Sequence, residues 1–105
     1  MRLQIRRRYY RKTIPGRPPI KYHVVERKDG VVSGTIMQDP ILKKKGLKDL
    51  RRSLVAHEMR EIKAFAQRHP DPDAAADMDE PRILRRLQNP AGFWREVARR
   101  GLRRG

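Results

Sequence analysis

The chain is expected to fold as a small α+β unit: a β-hairpin or three-stranded antiparallel sheet packed by one long helix and two short C-terminal helices. Three observations predict it. An Asp-Gly turn joins two β-branched runs. A helical apolar stripe runs from Leu47 toward Pro70, and two Pro-marked helix starts follow near the C-terminus. At 105 residues the chain is long enough for one core but not for two independent ones.

The elements follow in order. Leu3, Ile5, Arg7 and Tyr9 alternate with Arg2, Gln4, Arg6 and Arg8, the period-2 pattern of a strand. If it is one, Arg6, Arg8 and Tyr10 share a face, and Arg7 and Tyr9 the other. Ile14-Pro15-Gly16-Arg17-Pro18-Pro19 then breaks regular structure, because each proline lacks a backbone donor. Tyr22–Arg27 and Val31–Met37 form the hairpin around Lys28-Asp29-Gly30, where glycine supplies the positive φ of a tight turn. Asp39-Pro40 closes its second strand. The long helix is expected from about Leu47 to His69, stopped by Pro70. Asp79 caps a further helix with Pro81 in its first turn and Ile83, Leu84 and Leu87 apolar. Asn89-Pro90 repeats that signal for a last helix carrying Phe93, Trp94 and Val97. Residues 1–70 thus hold a basic arm, hairpin and long helix, 71–80 an acidic linker, and 81–105 a basic helical segment packing on the same single domain.

Charge dominates the composition. Lys and Arg number 27 against 12 Asp and Glu, a formal net charge of +15 and a pI near 11.3. Such a domain repels itself until anions neutralise it, and nucleic acid is the commonest intracellular polyanion, with an anionic membrane surface second. Coding from GC-rich DNA accounts for 19 Arg against 8 Lys, but less readily for the shortage of acids. The charge is also segregated. Residues 1–25 carry eight bases and no acid, 71–80 five acids and no base, and 81–105 eight Arg and one acid, Glu96.

With no cysteine, neither a disulfide framework nor a thiolate metal site forms. No apolar run approaches the roughly 18 residues of a membrane span, and the charged start lacks the apolar stretch of a secretory signal. An intracellular, cytoplasmic or nucleic-acid-associated setting is expected.

The basic arm, Arg6-Arg7-Arg8-Tyr9-Tyr10-Arg11-Lys12, interleaves cations that hold phosphates with rings that stack on unpaired bases. The alternative is a disordered arm or an edge strand guarded by charge. Lys43-Lys44-Lys45 and the terminal Arg99, Arg100, Arg103 and Arg104 add two further basic clusters. Trp94 is expected as a core anchor. No helix-turn-helix, zinc-finger or RNA-binding signature is present, so phosphate contact without strong sequence readout is the expectation, to DNA or RNA.

On a helical wheel at about 100° per residue, counted from Leu47, the apolar stripe centres near 20°. Glu58 falls at about 20°, Glu61 at about 320° and His57 at about 280° on its shoulder. Burying a carboxylate without a partner costs several kcal/mol, so each must be paired, protonated or bound to a cation. His57-Glu58-Met59-Arg60-Glu61 resembles the H-E-x-x-H helix of the zincin metallopeptidases, with Glu61 in place of the second His. The resemblance covers about fifteen residues. It implies zinc held by His57 and Glu61, Glu58 as the catalytic general base, and a third ligand, for which His23 or His69 are the candidates. The alternative is an ion-pair network between these glutamates and arginines of the sheet or C-terminal helices. Three functions are therefore expected in turn: a non-sequence-specific nucleic-acid-binding protein of the size of a phage or mobile-element accessory; a zincin-like hydrolase, peptidase or nuclease; and a structural subunit of a nucleic-acid-containing protein assembly.

Overall fold

The computed structural model describes residues 2–68 and 82–102. The elements are β1 (Arg2–Tyr9), β2 (Ile20–Glu26), β3 (Val31–Gln38), two 3-10 turns (Pro40–Lys43 and Lys45–Leu47), α1 (Lys48–Ala66), α2 (Arg82–Gln88) and α3 (Pro90–Arg99). The α+β class, the three strands, the long helix and the two short ones are those the sequence predicts. His69, Pro70, the acidic segment 71–80, Pro81 and Arg103–Gly105 lie outside the described residues.

The hairpin forms where Asp-Gly places it. Arg27 N–H donates to Val31 O (2.8 Å), Gly30 N–H to Arg27 O (3.2 Å), and Gly30 takes φ +79°. The sheet order is β1-β3-β2. β2 runs antiparallel to β3, with Tyr22 opposite Ile36, but β1 runs parallel to β3, with Ile5 opposite Gly34. The sheet is therefore mixed, where a wholly antiparallel one was expected. A parallel neighbour needs a return leg, and β2 itself serves as that leg. The loop between Tyr9 and Ile20 has only to cross the end of β3, since Tyr9 and Ile20 both stand opposite Gln38.

Asp39 holds that crossing in place. Its buried Oδ1 accepts from Ile41 N–H (3.0 Å), capping the first 3-10 turn, and from Thr13 Oγ1 (2.6 Å). Its own N–H donates to Pro19 O (2.8 Å), and Arg17 stands 3.6 Å from Oδ2. A single carboxylate thus joins the proline-rich loop to the start of the helical half.

α1 packs on β2 and β3. Gly34 makes room for it, since a Cβ there would lie 3.3 Å from Ile62 Cδ1. One cluster unites Ile20 and Ile36 of the sheet, Leu50, Leu54, Val55 and Ile62 of α1, and Leu87, Phe93, Trp94 and Val97 of α2 and α3. The C-terminal helices therefore belong to the same core as the hairpin. Burying each large aliphatic contributes about 1.5–3 kcal/mol relative to exposure. α1 ends at Ala66, ahead of the expected His69, because Arg68 turns to φ +58° and its N–H closes on Phe65 O. Asn89 caps α3 by accepting from Ala91 N–H (2.9 Å), with Pro90 in the first turn. Gly92 is required at the α2–α3 contact: a Cβ would fall 2.1 Å from Arg86 O.

Candidate nucleic-acid interface and candidate metal centre

The apolar stripe of α1 carries the three polar residues that its periodicity places there. His57, Glu58 and Glu61 are 0%, 6% and 8% exposed. One helical turn sets His57 Nε2–H to donate to Glu61 Oε1 at 2.7 Å. Ligand atoms of all three residues lie within 4.8 Å of one another. One nitrogen and two carboxylate oxygens are a donor set that zinc accepts. Two ligand atoms of one tetrahedral zinc stand about 3.3 Å apart, so an ion would open the His57–Glu61 contact by about half an ångström and replace its proton. The residues fit a divalent cation in type and nearly in spacing.

The candidate third ligands do not join this group. Val24 and Ile62 meet over Gly34, which puts the even positions of β2 toward α1. His23, one residue earlier and opposite Thr35, is exposed on the other side of the sheet. As a third ligand His23 is therefore ruled out by the register, since a one-residue step in a strand changes face. His69 is outside the described residues.

That other side of the sheet is the second feature. Its rows across the strands read Arg2–Val31, with Arg27 bonded to Val31 at the hairpin; Gln4–Ser33–Val25; Arg6–Thr35–His23; and Arg8–Met37–Lys21. The outer residues of every row are exposed, whereas the central ones are buried or half-buried. Five of these side chains are cations and none is an acid. No salt bridge among the described residues engages Arg2, Arg6, Arg8, Lys21 or Arg27. Arg2, Lys21 and Arg27 were not singled out from the sequence. The alternation Lys21-Tyr22-His23 carries the signal for them, and the runs of consecutive basic residues mask it.

The remaining basic residues are differently placed. Arg7 and Tyr9 lie on the α1 side of β1, as the alternation predicts. Lys43 Nζ stands 4.6 Å from the centre of the Tyr9 ring, and Arg51 donates to its hydroxyl (3.4 Å). The Arg17 guanidinium lies 3.5 Å over Tyr10, whose hydroxyl burial raises above its ordinary pKa. Each of the two tyrosine rings thus has a cation of the chain itself over one face. Arg11 and Lys12 are exposed in the crossing loop, and Lys43 and Lys45 sit on the two 3-10 turns with Lys44 extended between them.

On α3, Glu96 accepts from Arg99 Nε (2.9 Å) and Arg100 Nε (3.0 Å). Arg100 also donates to Asp49 Oδ1 (2.8 Å) and Oδ2 (2.9 Å) and to Gly46 O (2.8 Å). Hydrogen bonds from Arg99 and Arg100 hold the Glu96 carboxyl down at about 2, and the Arg100 bond lowers Asp49. Trp94 is buried edge-on against Phe93, a core anchor as expected. Arg103 and Arg104 are outside the described residues.

No protein-family model matches the chain, and comparison with curated proteins and with solved structures returns no match. The likeness to the zincin helix therefore extends to the buried His57/Glu58/Glu61 cluster and no further. No helix among the described residues is long and apolar enough to cross a membrane.

Proposed function

We propose that this protein binds nucleic acid without strong sequence preference, through the uncovered face of its three-stranded sheet. One observation carries the reading: among the described residues that face presents five cations and no carboxylate. Phosphates that displace counterions from such a surface make binding steeply salt-dependent. Each phosphate contact contributes about −0.9 to the slope of log K against log salt on duplex DNA. Five contacts predict a slope of about −4.5. Titrating a labelled 20-base-pair duplex at several salt concentrations, after stripping co-purified nucleic acid at high salt, tests this. A flat salt profile, or no binding at low salt, removes the proposal.

A second reading rests on the α1 cluster, whose ligand atoms lie within 4.8 Å of one another. In it His57 and Glu61 would hold a zinc ion, which would supply Lewis acidity, with Glu58 beside them the candidate general base of a hydrolase. Metal content and zinc titration of the purified protein beside His57→Ala decide it. One ion per chain, lost in the variant, supports a metal centre. No uptake leaves the cluster a buried hydrogen-bonded group of the fold.

A further inference from the structure

Resting on the nucleic-acid reading, the geometry points to a narrower partner: a double-stranded nucleic acid, straddled by two rails of cations along the sheet edges. Arg2, Arg6 and Arg8 line β1; Lys21 lies on β2 and Arg27 one residue beyond its end, bonded to Val31, with the His23 imidazole between them. The rails lie two strand spacings apart, about 10 Å, and successive rows stand about 6.6 Å apart along each strand. Between them runs β3, which offers the Ser33 and Thr35 hydroxyls and no charge.

A duplex presents two phosphate rows bordering a groove about 6 Å wide on the minor side and about 12 Å on the major. Rails about 10 Å apart fall between these widths, within the swing of arginine and lysine side chains. A single strand presents one row and gains most of its remaining affinity by stacking bases on aromatic rings. Among the described residues this face offers one small ring, the His23 imidazole, and no Tyr, Phe or Trp. Tyr9 and Tyr22 lie on the α1 side of the sheet, Tyr10 lies under Arg17, and Phe93 and Trp94 are in the core. Among the described residues no helix projects from the face to enter a groove, so the contacts are to phosphate and sugar, which position without specifying sequence. An anionic bilayer is the less suited polyanion. Peripheral binding to it adds buried apolar side chains to charge, and here only Val25, 51% exposed, stands out of the face.

The test compares a 20-base-pair duplex, each of its component strands and phosphatidylserine vesicles, all at the same moderate salt. The duplex is expected to bind at least tenfold more tightly than either strand. Removing one rail with Lys21→Ala/Arg27→Ala should collapse that ratio toward one. The charge-matched pair Arg52→Ala/Lys63→Ala, on exposed positions of α1, should preserve it, with circular dichroism showing both variants folded. Strand binding equal to or tighter than duplex binding, or a ratio unmoved by loss of the rail, overturns the duplex inference while leaving nucleic-acid binding standing. Failure to bind either form removes the parent reading as well. Tighter binding to vesicles than to both overturns the two together.

Discussion

The arginines of β1 and those of α3 are the same residue put to opposite uses. Arg99 and Arg100 share Glu96, and Arg100 reaches across to Asp49 and the Gly46 carbonyl, tying the last helix to the start of α1. Arg2, Arg6 and Arg8 stand on an exposed edge strand with no acid on their face among the described residues. The first set is neutralised within the fold and gives it cohesion. The second costs the fold self-repulsion, and in the proposed function an outside anion relieves it. Formal charge therefore overstates the binding surface, and the position of the carboxylates decides which cations remain available.

The largest expected effect separates the two sets by function. Arg6→Ala/Arg8→Ala removes two phosphate contacts, which lowers the salt slope by about 1.8 and weakens duplex binding about 60-fold at 0.1 M salt relative to a 1 M reference. Its melting temperature should stay within about 2 °C of the parent, since exposed substitutions away from packed features are near neutral. A large fall in melting temperature with unchanged affinity would reverse the roles assigned here. Next is Glu61→Ala, which removes the buried Glu61–His57 hydrogen bond and should cost about 2 kcal/mol. That corresponds to a fall in melting temperature of about 10 °C. Added zinc should raise the melting temperature of the parent and not of the variant if the cluster is a metal centre. Third, Arg100→Met should cost at most about 1 kcal/mol, discounted for its solvent-exposed partners, and leave duplex affinity within about twofold. Weaker binding by an order of magnitude would return Arg100 to the binding surface.

Much of this contrast was legible in the sequence, and the missing part has a physical reason. Asp29-Gly30, Asn89-Pro90 and the α1 stripe are local signals, and each placed its element. The stripe also placed His57, Glu58 and Glu61 together, because one helical turn is a local distance. The direction of β1 was not legible, since a period-2 pattern reads the same in a parallel or antiparallel ladder. Nor was the fate of individual cations. Arg100 meets Asp49 across 51 positions, and Arg17 covers Tyr10 only once the crossing loop has closed on Asp39. The role first read into Tyr9 and Tyr10, stacking on bases, depended on those non-local partners. The second cation rail was missed for a different reason: Lys21 and Arg27 join Arg8 and Arg2 only through β3, whose register links both edges.

The smallest effect is the cleanest probe of the neutralised set. The folded Glu96 carboxyl titrates at about 2, below its ordinary 4.5, and Asp49 is lowered in the same direction. A depressed carboxylate contributes stability that is complete above its unfolded pKa and is lost as pH falls through the folded one. The α3 contribution should therefore fade between about pH 4.5 and 2, while the β1 arginines stay charged throughout. Thermal melts from pH 6 down to pH 2.5 should show the parent losing more stability than Glu96→Gln over that window, with the two curves converging at the acid end. Other carboxylates titrate in both proteins alike, so the difference between the curves isolates Glu96. Parallel curves would mean that Glu96 does not neutralise its two arginines in solution. Arg99 and Arg100 would then rejoin the cations open to phosphate, and the contrast between the two ends of the chain would narrow to Asp49 alone.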